Sequence, residues 1–559
     1  MANSSESLDL SLVLLAVCLF GLPGEATAAA HTSTYVFMPE QSKVVQTGGI
    51  AYVHWTYSIK GHFQLTVDPN AGTASFAHVD ANATDDSPFK RTLDLNHVFN
   101  MTSLVGTVEP SGAIKFVGKA PDDSDVNITV TLQDGSAHLI GQTTPPPNSA
   151  DFFIFSLDAV AQRKYGGGSG TAEDPYQIAT AEDLIALGET PEDCDKHFIL
   201  TDDIDLDPNL PGRKIFDRAV IENFTGVFDG NGHAIFNLTI IEKEPCRNCL
   251  SASLGFFGTL DGEAIVSRLG LEAMDVNAFG RAGGLACENS GSIFMSYSTG
   301  TITSQTSPQG NQVEFIGGLV GINNGTITLS YNLCGVSGDN DFVGGLVGWN
   351  KGAITTSCSS GVVSSIQEHS IVGGVVGLNS GSVITSYNSG SIHGVSCVGG
   401  LVGENGHFTL GFGAKEGRIF RSYCTGSVSG DNRVGGLVGY NWAGSIAASY
   451  STAKVVGTGD FVGGLVGHCW FGNITTSFWD IETSGQTTSE GGIGKTTAEM
   501  QTASTFVDAG WDFVNVWGIG QNQTYPYLRK YSAADINQDA SVNFLDLAAL
   551  AENWLAGDE

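Results

Sequence analysis

The sequence predicts a mainly β protein: a right-handed parallel β-helix, or solenoid, preceded by a small antiparallel β-domain and followed by a short helical tail. Three observations predict it. The phrase Val-Gly-Gly-Leu-Val-Gly recurs at Val343–Gly348, Val398–Gly403, Val434–Gly439 and Val462–Gly467, with variants at Ile316–Gly321 and Val372–Gly377 and a degenerate copy at Ala282–Cys287. Counted between the second glycines of successive copies, the steps are 34, 27, 29, 26, 36 and 28 residues, a repeat with two insertions. Residues 31–164 show short alternating runs between turn dipeptides instead, and residues 535–546 carry oxygen side chains at the spacing of a calcium loop.

Residues 1–30 read as an export signal. Leu10 to Leu22 is an apolar run too short to span a bilayer, and Ala26-Thr27-Ala28 followed by Ala29 and Ala30 offers small residues for cleavage. The flank before that run departs from the usual pattern, with Glu6 and Asp9 and no Lys or Arg. No other segment approaches the length of a membrane span, so the mature chain is expected outside the cytoplasm without a transmembrane anchor. With 58 acidic and 25 basic residues, the formal charge of −33 argues against nucleic acid and anionic membranes as partners and favours cation binding. Ten cysteines minus Cys18 leave an odd number, so at least one thiol is free or pairs between chains. Cys246-x-x-Cys249 lacks a second pair and reads as a local disulfide or a loop feature rather than a zinc site. Cys334, Cys358 and Cys424 read as small apolar core fillers.

The runs Ala51–Tyr57, Phe63–Val67, Thr73–Val79, Leu104–Val108, Ala113–Val117, Val126–Leu132 and Ala137–Ile140 give the 31–164 region its strands. Asp68-Pro69-Asn70, Pro110-Ser111-Gly112 and Asp134-Gly135 supply turns, which makes a sandwich or open barrel. His54, Trp55, Tyr57 and His62 could line a carbohydrate surface, although aromatic side chains in a β-domain more often fill its core. Residues 165–223 are a linker and N-terminal cap: Gly166–Gly170 is flexible by composition, and Thr180 is positioned to cap a short helix over 184–187.

The solenoid is assigned to 224–480. Asp229 and His233 would make an acid–base pair, or hydrogen-bond a corner. Within a copy such as 318–337, three short strands alternate with three corners, matching one rung in which each strand pairs with its counterpart one rung away. The abundant glycine, 74 residues, is assigned to repeated turns. Five residues after the second glycine stand Asn289, Asn323, Asn350, Asn379, Asn405 and Asn441, then Cys469, so amides should stack up the solenoid at left-handed corners. Tyr297, Tyr331, Tyr387, Tyr423, Tyr450 and Phe478, interrupted by Cys358, form a second column, placed on the inner side as a structural stack.

The Gly-Gly-Leu-Val-Gly-x-Asn phrase resembles the GLUG motif, a repeat found in secreted and surface-anchored bacterial proteins, including large adhesins and some immunoglobulin-cleaving peptidases. The resemblance covers about 282–478 and implies a β-helix and an extracellular role. It does not carry over peptidase activity, because the chain has no His-Glu-x-x-His.

Residues 481–531 form the C-terminal cap, with Trp479, Trp511, Trp517 and the Tyr525-Pro526-Tyr527 turn covering the last rung and a helix over 496–501. In 532–559, Asp535, Asn537, Asp539, Ser541 through its carbonyl, and Asp546 are placed as Ca2+ ligands ahead of an apolar helix. The segment is similar to one repeat of a dockerin, which implies docking to a cohesin-type scaffold protein. It departs from that pattern in being single and in carrying Ala540 at the glycine position.

Two functions stay open. One is a non-catalytic secreted or cell-surface repeat protein for adhesion or polysaccharide binding, attached through its calcium-binding tail. The other is an extracellular carbohydrate-active enzyme, a polysaccharide lyase or glycoside hydrolase, which requires grouped carboxylates or a base beside bound calcium. No catalytic residue is assigned. The places to look are the insertion with Glu404, His407, Lys415, Glu416 and Arg418, and the ending His468-Cys469-Trp470.

Overall fold

The structure is a computed structural model that describes residues 31–48, 53–85, 87, 90–133, 135–147, 153–243, 253–305, 314–339, 342–409 and 413–529. The export signal, Cys246, Cys249 and the calcium loop lie outside the described residues. The described chain divides into two compact units, one of 31–186 with 196–202 and one of 187–195 with 203–529.

The first unit is an antiparallel barrel. Thr73–Asp85 pairs with Val53–Asp68 on one side and Val105–Val108 on the other. From there the ladder runs through Ile114–Lys119, Asp125–Gln133, Ser136–Thr144, Phe153–Arg163 and Lys43–Gly48 back to Val53–Asp68. The sheet is therefore closed, where the pattern predicted a sandwich or an open barrel; closure depends on pairings between strands far apart in sequence, which no local alternation encodes. Phe63, Phe76, Phe116, Ile128 and Leu139 fill the interior. Trp55, Tyr57 and His62, three of the residues considered for a sugar surface, do not assemble one. Tyr57 is buried and donates to Gln46 Oε1 at 2.8 Å, Trp55 lies under the Arg91 guanidinium at 3.9 Å, and His62 is exposed.

Gly166–Gly170 is packed rather than flexible. The Gly166 amide donates to Gln177 O at 2.7 Å and the Gly168 amide to Thr32 O at 3.2 Å, while a Cβ at Gly168 would overlap the Pro175 carbonyl. Here glycine serves close backbone approach, which composition does not distinguish from flexibility. The helix spans Ala181–Gly188, longer than expected, with reciprocal hydrogen bonds between Thr180 and Asp183 closing its first turn.

The second unit is built from parallel sheets in which each strand pairs with its equivalent one repeat away. One rung contains Phe342–Gly344, Val347–Asn350, Ala353–Thr355, Cys358–Ser359 and Val363–Ser364, five short strands where three were expected. In the next rung Val343 pairs with Val372, Asn350 with Asn379, Ile354 with Val383 and Ser359 with Asn388. Alternation puts Leu319, Leu346, Val375, Leu401, Leu437 and Leu465 inside, fully buried, each contributing about 1.5–3 kcal/mol of burial.

The glycines of the phrase are not turn glycines. None of Gly344, Gly345 and Gly348 has a positive φ. Each instead faces backbone closer than 3.0 Å to where a Cβ would stand: Val347 O of its own corner for Gly344, Gly374 O of the following rung for Gly345, and Gly321 O of the preceding rung for Gly348. The left-handed corner is a column of other residues, Met295, Leu329, Thr356, Thr385, Arg421, Ala448 and Thr476, with φ between 45° and 53°.

Two polar ladders run inside. Asn289, Asn323, Asn350, Asn379 and Asn405 each donate from Nδ2 to Oδ1 of the next asparagine at 2.7–2.9 Å, and Asn441 ends the chain on Cys469 Sγ at 3.5 Å. They close their strands without left-handed φ, correcting that part of the expectation. The second ladder was not anticipated. The amides of Ser296, Ser330, Ser357, Ser386, Ser422 and Ser449 donate to the hydroxyl of the next serine in the column at 3.1–3.3 Å, ending at Ser477. Asn350→Ala is expected to cost roughly 2–4 kcal/mol, because buried groups of Asn323 and Asn379 lose a partner. Asn324→Ala, one residue beyond the ladder, should cost less than about 0.5 kcal/mol. Amide hydrogen exchange across 345–380 would register the difference.

The tyrosine column stands on the outer side of its sheet, contrary to the inner placement. Asn332, Ser359, Asn388, Cys424 and Ser451 follow the column residues and are fully buried, so alternation sends the column outward. The rings still stack: Tyr297 on Tyr331 at 4.8 Å, and Tyr387 on Tyr423 and Tyr423 on Tyr450 at 5.0 Å. Cys334 and Cys424 are buried fillers as expected, whereas Cys358, in the outer column, is half-buried.

At the C-terminal end Trp479 takes the inner position of Ser451 and lies against Gly464, closing the rung; Ser489 and Glu490 bond to the backbone of Leu465 and Val466. Trp511 contacts the last rung as expected, its ring 5.9 Å from Phe478 and its Nε1 donating to Thr476 O at 2.9 Å, but Trp511 and Trp517 also reach back to earlier rungs. They pack on the outer faces of Tyr450 and Tyr423, in a cluster with Phe478, Met500 and Phe506. The helix Thr497–Met500 has the capping box Thr496/Glu499. Among the described residues no helix is long and apolar enough to cross a membrane.

Candidate functional site

The residue before each ladder asparagine points outward, because the asparagine points in. Register therefore aligns Glu288, Ile322, Trp349, Leu378, Glu404, Tyr440 and His468 in one outer column. Adjacent strands are about 4.8 Å apart, so the column runs straight along the rungs, with Ile322 and Leu378 buried in it and Glu288, Trp349, Tyr440 and His468 half-buried. The residue after the ladder position adds Trp442 and Trp470.

The column changes character along its length. At the lower end, Phe315 stacks on Trp349 at 5.0 Å and the Lys351 ammonium sits 3.7 Å from the Trp349 ring centre. Burial lowers the Lys351 pKa, and the nearby Lys415 and Arg281 act in the same direction. At the middle, Glu404 is only 9% exposed and lies 3.3 Å from His407 Nδ1. The Arg433 guanidinium covers Tyr440 at 4.9 Å and reaches Cys397 Sγ at 3.7 Å. Burial pushes the Tyr440 phenol up to about 12, so it is a neutral hydrogen-bonding group at physiological pH. At the upper end, Tyr440 stacks on His468 at 5.4 Å and Trp442 on Trp470 at 5.8 Å, and Phe461 contacts His468 at 4.2 Å. Trp470 is 48% exposed and Phe471 84%, which leaves an apolar platform open to solvent.

The structure brings together part of what the sequence singled out. The insertion after Gly403 is a β-hairpin, His407–Thr409 with Gly413–Lys415, which sets Lys415 opposite His407 and holds His407 against Glu404. Glu416 is exposed, and Arg418 leaves the hairpin to pair with Ser382 and Ser445 in a neighbouring sheet, over Phe420. His468 and Trp470 belong to the platform, and Cys469 closes the asparagine ladder beneath it. Trp349, Tyr440 and Trp442 were not singled out, although their position beside each ladder asparagine was the signal. Asp229 and His233 do not form a pair: Asp229 binds Arg268, and His233 Nδ1 lies 3.2 Å from Asp203. The ligand set Asp535, Asn537, Asp539, Ser541 and Asp546 is outside the described residues.

Comparison with known proteins bears on the rung that carries Tyr440. Residues 430–456 match the GLUG motif. The GLUG rung thus includes Arg433, the phrase Val434–Gly439, Tyr440, the ladder residue Asn441 and Trp442. Halomucin of Haloquadratum walsbyi is 29% identical over 169 residues, which are 29% of this chain and 2% of that protein. A "Putative Gly-rich membrane protein" of Evansella cellulosilytica is 43% identical over 53 residues, 10% of this chain and 6% of its own length. The chain thus matches only a small fraction of either relative.

Proposed function

We propose that this is a secreted or cell-surface, non-catalytic repeat protein whose right-handed β-helix holds an extracellular polysaccharide or cell-surface glycan on its outer aromatic column. The observation that carries this reading is the Trp442–Trp470 stack with Trp470 and Phe471 exposed beside it. Flat apolar faces suit the C–H faces of sugar rings, and Glu404, His407 and Glu490 border them with groups that bind hydroxyls. Sugar units of a glycan can follow the stacked rings that run from Tyr440 and Trp442 to His468 and Trp470.

The tail is proposed as a calcium-binding, dockerin-like attachment module. Its donors, the side chains of Asp535, Asn537, Asp539 and Asp546 with the Ser541 carbonyl, are all oxygen, the donor type that Ca2+ takes. This assigns the solenoid to the glycan and the tail to a cohesin-type scaffold protein.

The test is retention on a panel of insoluble polysaccharides, with and without EGTA. The wild type should be retained without releasing reducing ends or unsaturated products. The Trp470→Ala/Phe471→Ala variant should lose about tenfold or more in affinity, equivalent to about 1.4 kcal/mol. EGTA should leave glycan retention intact and abolish binding to a cohesin. Turnover of any glycan would replace this reading with the enzyme.

A further inference from the structure

We propose that the lower end of this face selects anionic glycans, with Arg281, Lys351 and Lys415 meeting the carboxylate or sulfate groups along an acidic polysaccharide. This rests on the glycan-binding reading of the same face and adds the charge class of the ligand. Asn324, Lys351, Ser380 and Gly406 each follow a ladder asparagine, and their amides donate at 2.7 Å to the carbonyl of the asparagine one rung back. Register carries the same column on to Trp442 and Trp470. Lys351 thus stands in line with the exposed platform, three rungs or on the order of 14 Å from Trp442. Gly406 opens the hairpin that bears Lys415. Arg281 lies two rungs below Lys351, its guanidinium 5.4 Å from the Phe315 ring, which stacks on Trp349 beneath the Lys351 ammonium.

No carboxylate holds these cations. In a chain with 58 acidic and 25 basic residues a cation readily meets an acid, and Lys214, Arg218, Arg268 and Lys495 of the same unit each do. Arg281, Lys351 and Lys415 make no ion pair among the described residues, and Arg281 Nε is enclosed without a hydrogen-bond partner. Nearby acids are engaged within the protein instead: Glu288 accepts from Asn324 Nδ2 at 2.7 Å, and Glu404 faces His407, while Glu416 is exposed next to Lys415. Burial lowers the Lys351 pKa, and Lys415 and Arg281 add to the shift against the opposing Glu288, so an anion bound among them relieves repulsion. The formal charge of −33 does not forbid this, because exposed charges farther away than about 8–10 Å are largely screened at physiological salt. Ser380, whose hydroxyl accepts from Trp349 Nε1 at 3.2 Å, keeps its own proton for a sugar hydroxyl. Cations and a hydroxyl leading into a flat aromatic stack match an acidic sugar chain, which carries charge, hydroxyls and apolar ring faces together.

The experiment measures retention of the full chain, in EGTA so that calcium bridges nothing, on immobilised polygalacturonate and on the same polymer methyl-esterified, and in parallel on dextran sulfate and dextran. At least one anionic polymer should be held about tenfold more tightly than its neutral counterpart, the pair that differs naming carboxylate or sulfate, and added NaCl should weaken the hold. Arg281→Gln/Lys351→Gln/Lys415→Gln should melt with the wild type and lose about tenfold or more on that polymer. Should the triple variant melt lower, Lys415→Gln, at an exposed position of the hairpin, decides by a loss of about threefold or more. Lys454→Gln, which removes an exposed charge from the sheet of the tyrosine column, should bind as the wild type does. Equal retention on charged and neutral polymers overturns the proposal. So does undiminished binding by the lysine and arginine variants, an equal loss in Lys454→Gln, or tighter binding of poly-L-glutamate, which would assign the cations to an acidic polypeptide. Retention on neutral polysaccharide that is lost in the Trp470→Ala/Phe471→Ala variant would then leave the broader reading standing, whereas absence of any retention would remove both.

Discussion

Gly345→Ala is expected to prevent the central rungs from closing, with the soluble folded yield collapsing. A Cβ there would overlap the Gly374 carbonyl oxygen of the next rung and the Ser359 hydroxyl. The carbonyl cannot yield cheaply. It belongs to backbone held by the bonds from Gly345 N to Gly373 O at 3.1 Å and from Leu346 N to Val375 O at 2.9 Å. Relieving the overlap means separating two rungs, and the loss should exceed about 4 kcal/mol, the range of severe core defects. Gly335→Ala is the control. Gly335 lies in the strand Gly335–Gly338, lacks a positive φ, and has nothing within 4 Å of a Cβ. Alanine there should be neutral or stabilise by about 0.4–1 kcal/mol through the unfolded chain. Circular dichroism melts of both variants decide it, and a Gly345→Ala protein that melts with the wild type would refute the close-approach account.

Asp480→Ala should release the C-terminal segment while leaving the solenoid folded. Asp480 is fully buried and accepts four hydrogen bonds: from the amides of Glu482 and Thr483 at 2.8 and 3.1 Å, and from the hydroxyls of Thr497 and Tyr525, each at 2.7 Å. It thus caps one helix and ties two later segments to the end of the last rung. With bonds to a charged acceptor worth about 1.5–3 kcal/mol, the local loss should be on the order of 4 kcal/mol or more. Trp511 and Trp517 would leave Tyr450 and Tyr423, so tryptophan emission should shift to longer wavelength and limited proteolysis should cut between 480 and 529. Asp480→Asn, which keeps one acceptor oxygen, should fall between the two. An unchanged cleavage pattern in Asp480→Ala would show that the cluster around Trp511 holds the segment alone.

How much was legible varied with the kind of constraint. The asparagine ladder was, down to its last residue, because a buried amide stack demands the same side chain at a fixed offset in every copy. The serine ladder obeys the same logic, with Ser296, Ser330, Ser357, Ser386, Ser422, Ser449 and Ser477 each one residue before the aromatic column. It went unread because serine is common in corners and its hydroxyl there usually serves its own turn. Of the candidate surface, Glu404, His407, His468 and Trp470 were legible as interruptions of the repeat. Trp349, Tyr440 and Trp442 were not, because an outward aromatic inside a regular rung looks like any other variable position.

The sequence by itself determined the repeat, its stacking in register and the offsets of its buried amides, because these follow from periodicity along one chain. Tertiary structure decided what periodicity leaves undefined. It placed the tyrosine column outside, since a column repeats equally well on either face of a strand. It turned the phrase's glycines from corners into points of backbone approach, a property of the neighbouring rung and not of the glycine's own segment. It closed the N-terminal sheet into a barrel and brought Trp511 and Trp517 back onto earlier rungs, both through contacts between distant parts of the chain. The same distinction locates the surface proposed to bind glycan: residues 26 to 36 apart in sequence become neighbours about 4.8 Å apart only when the rungs stack.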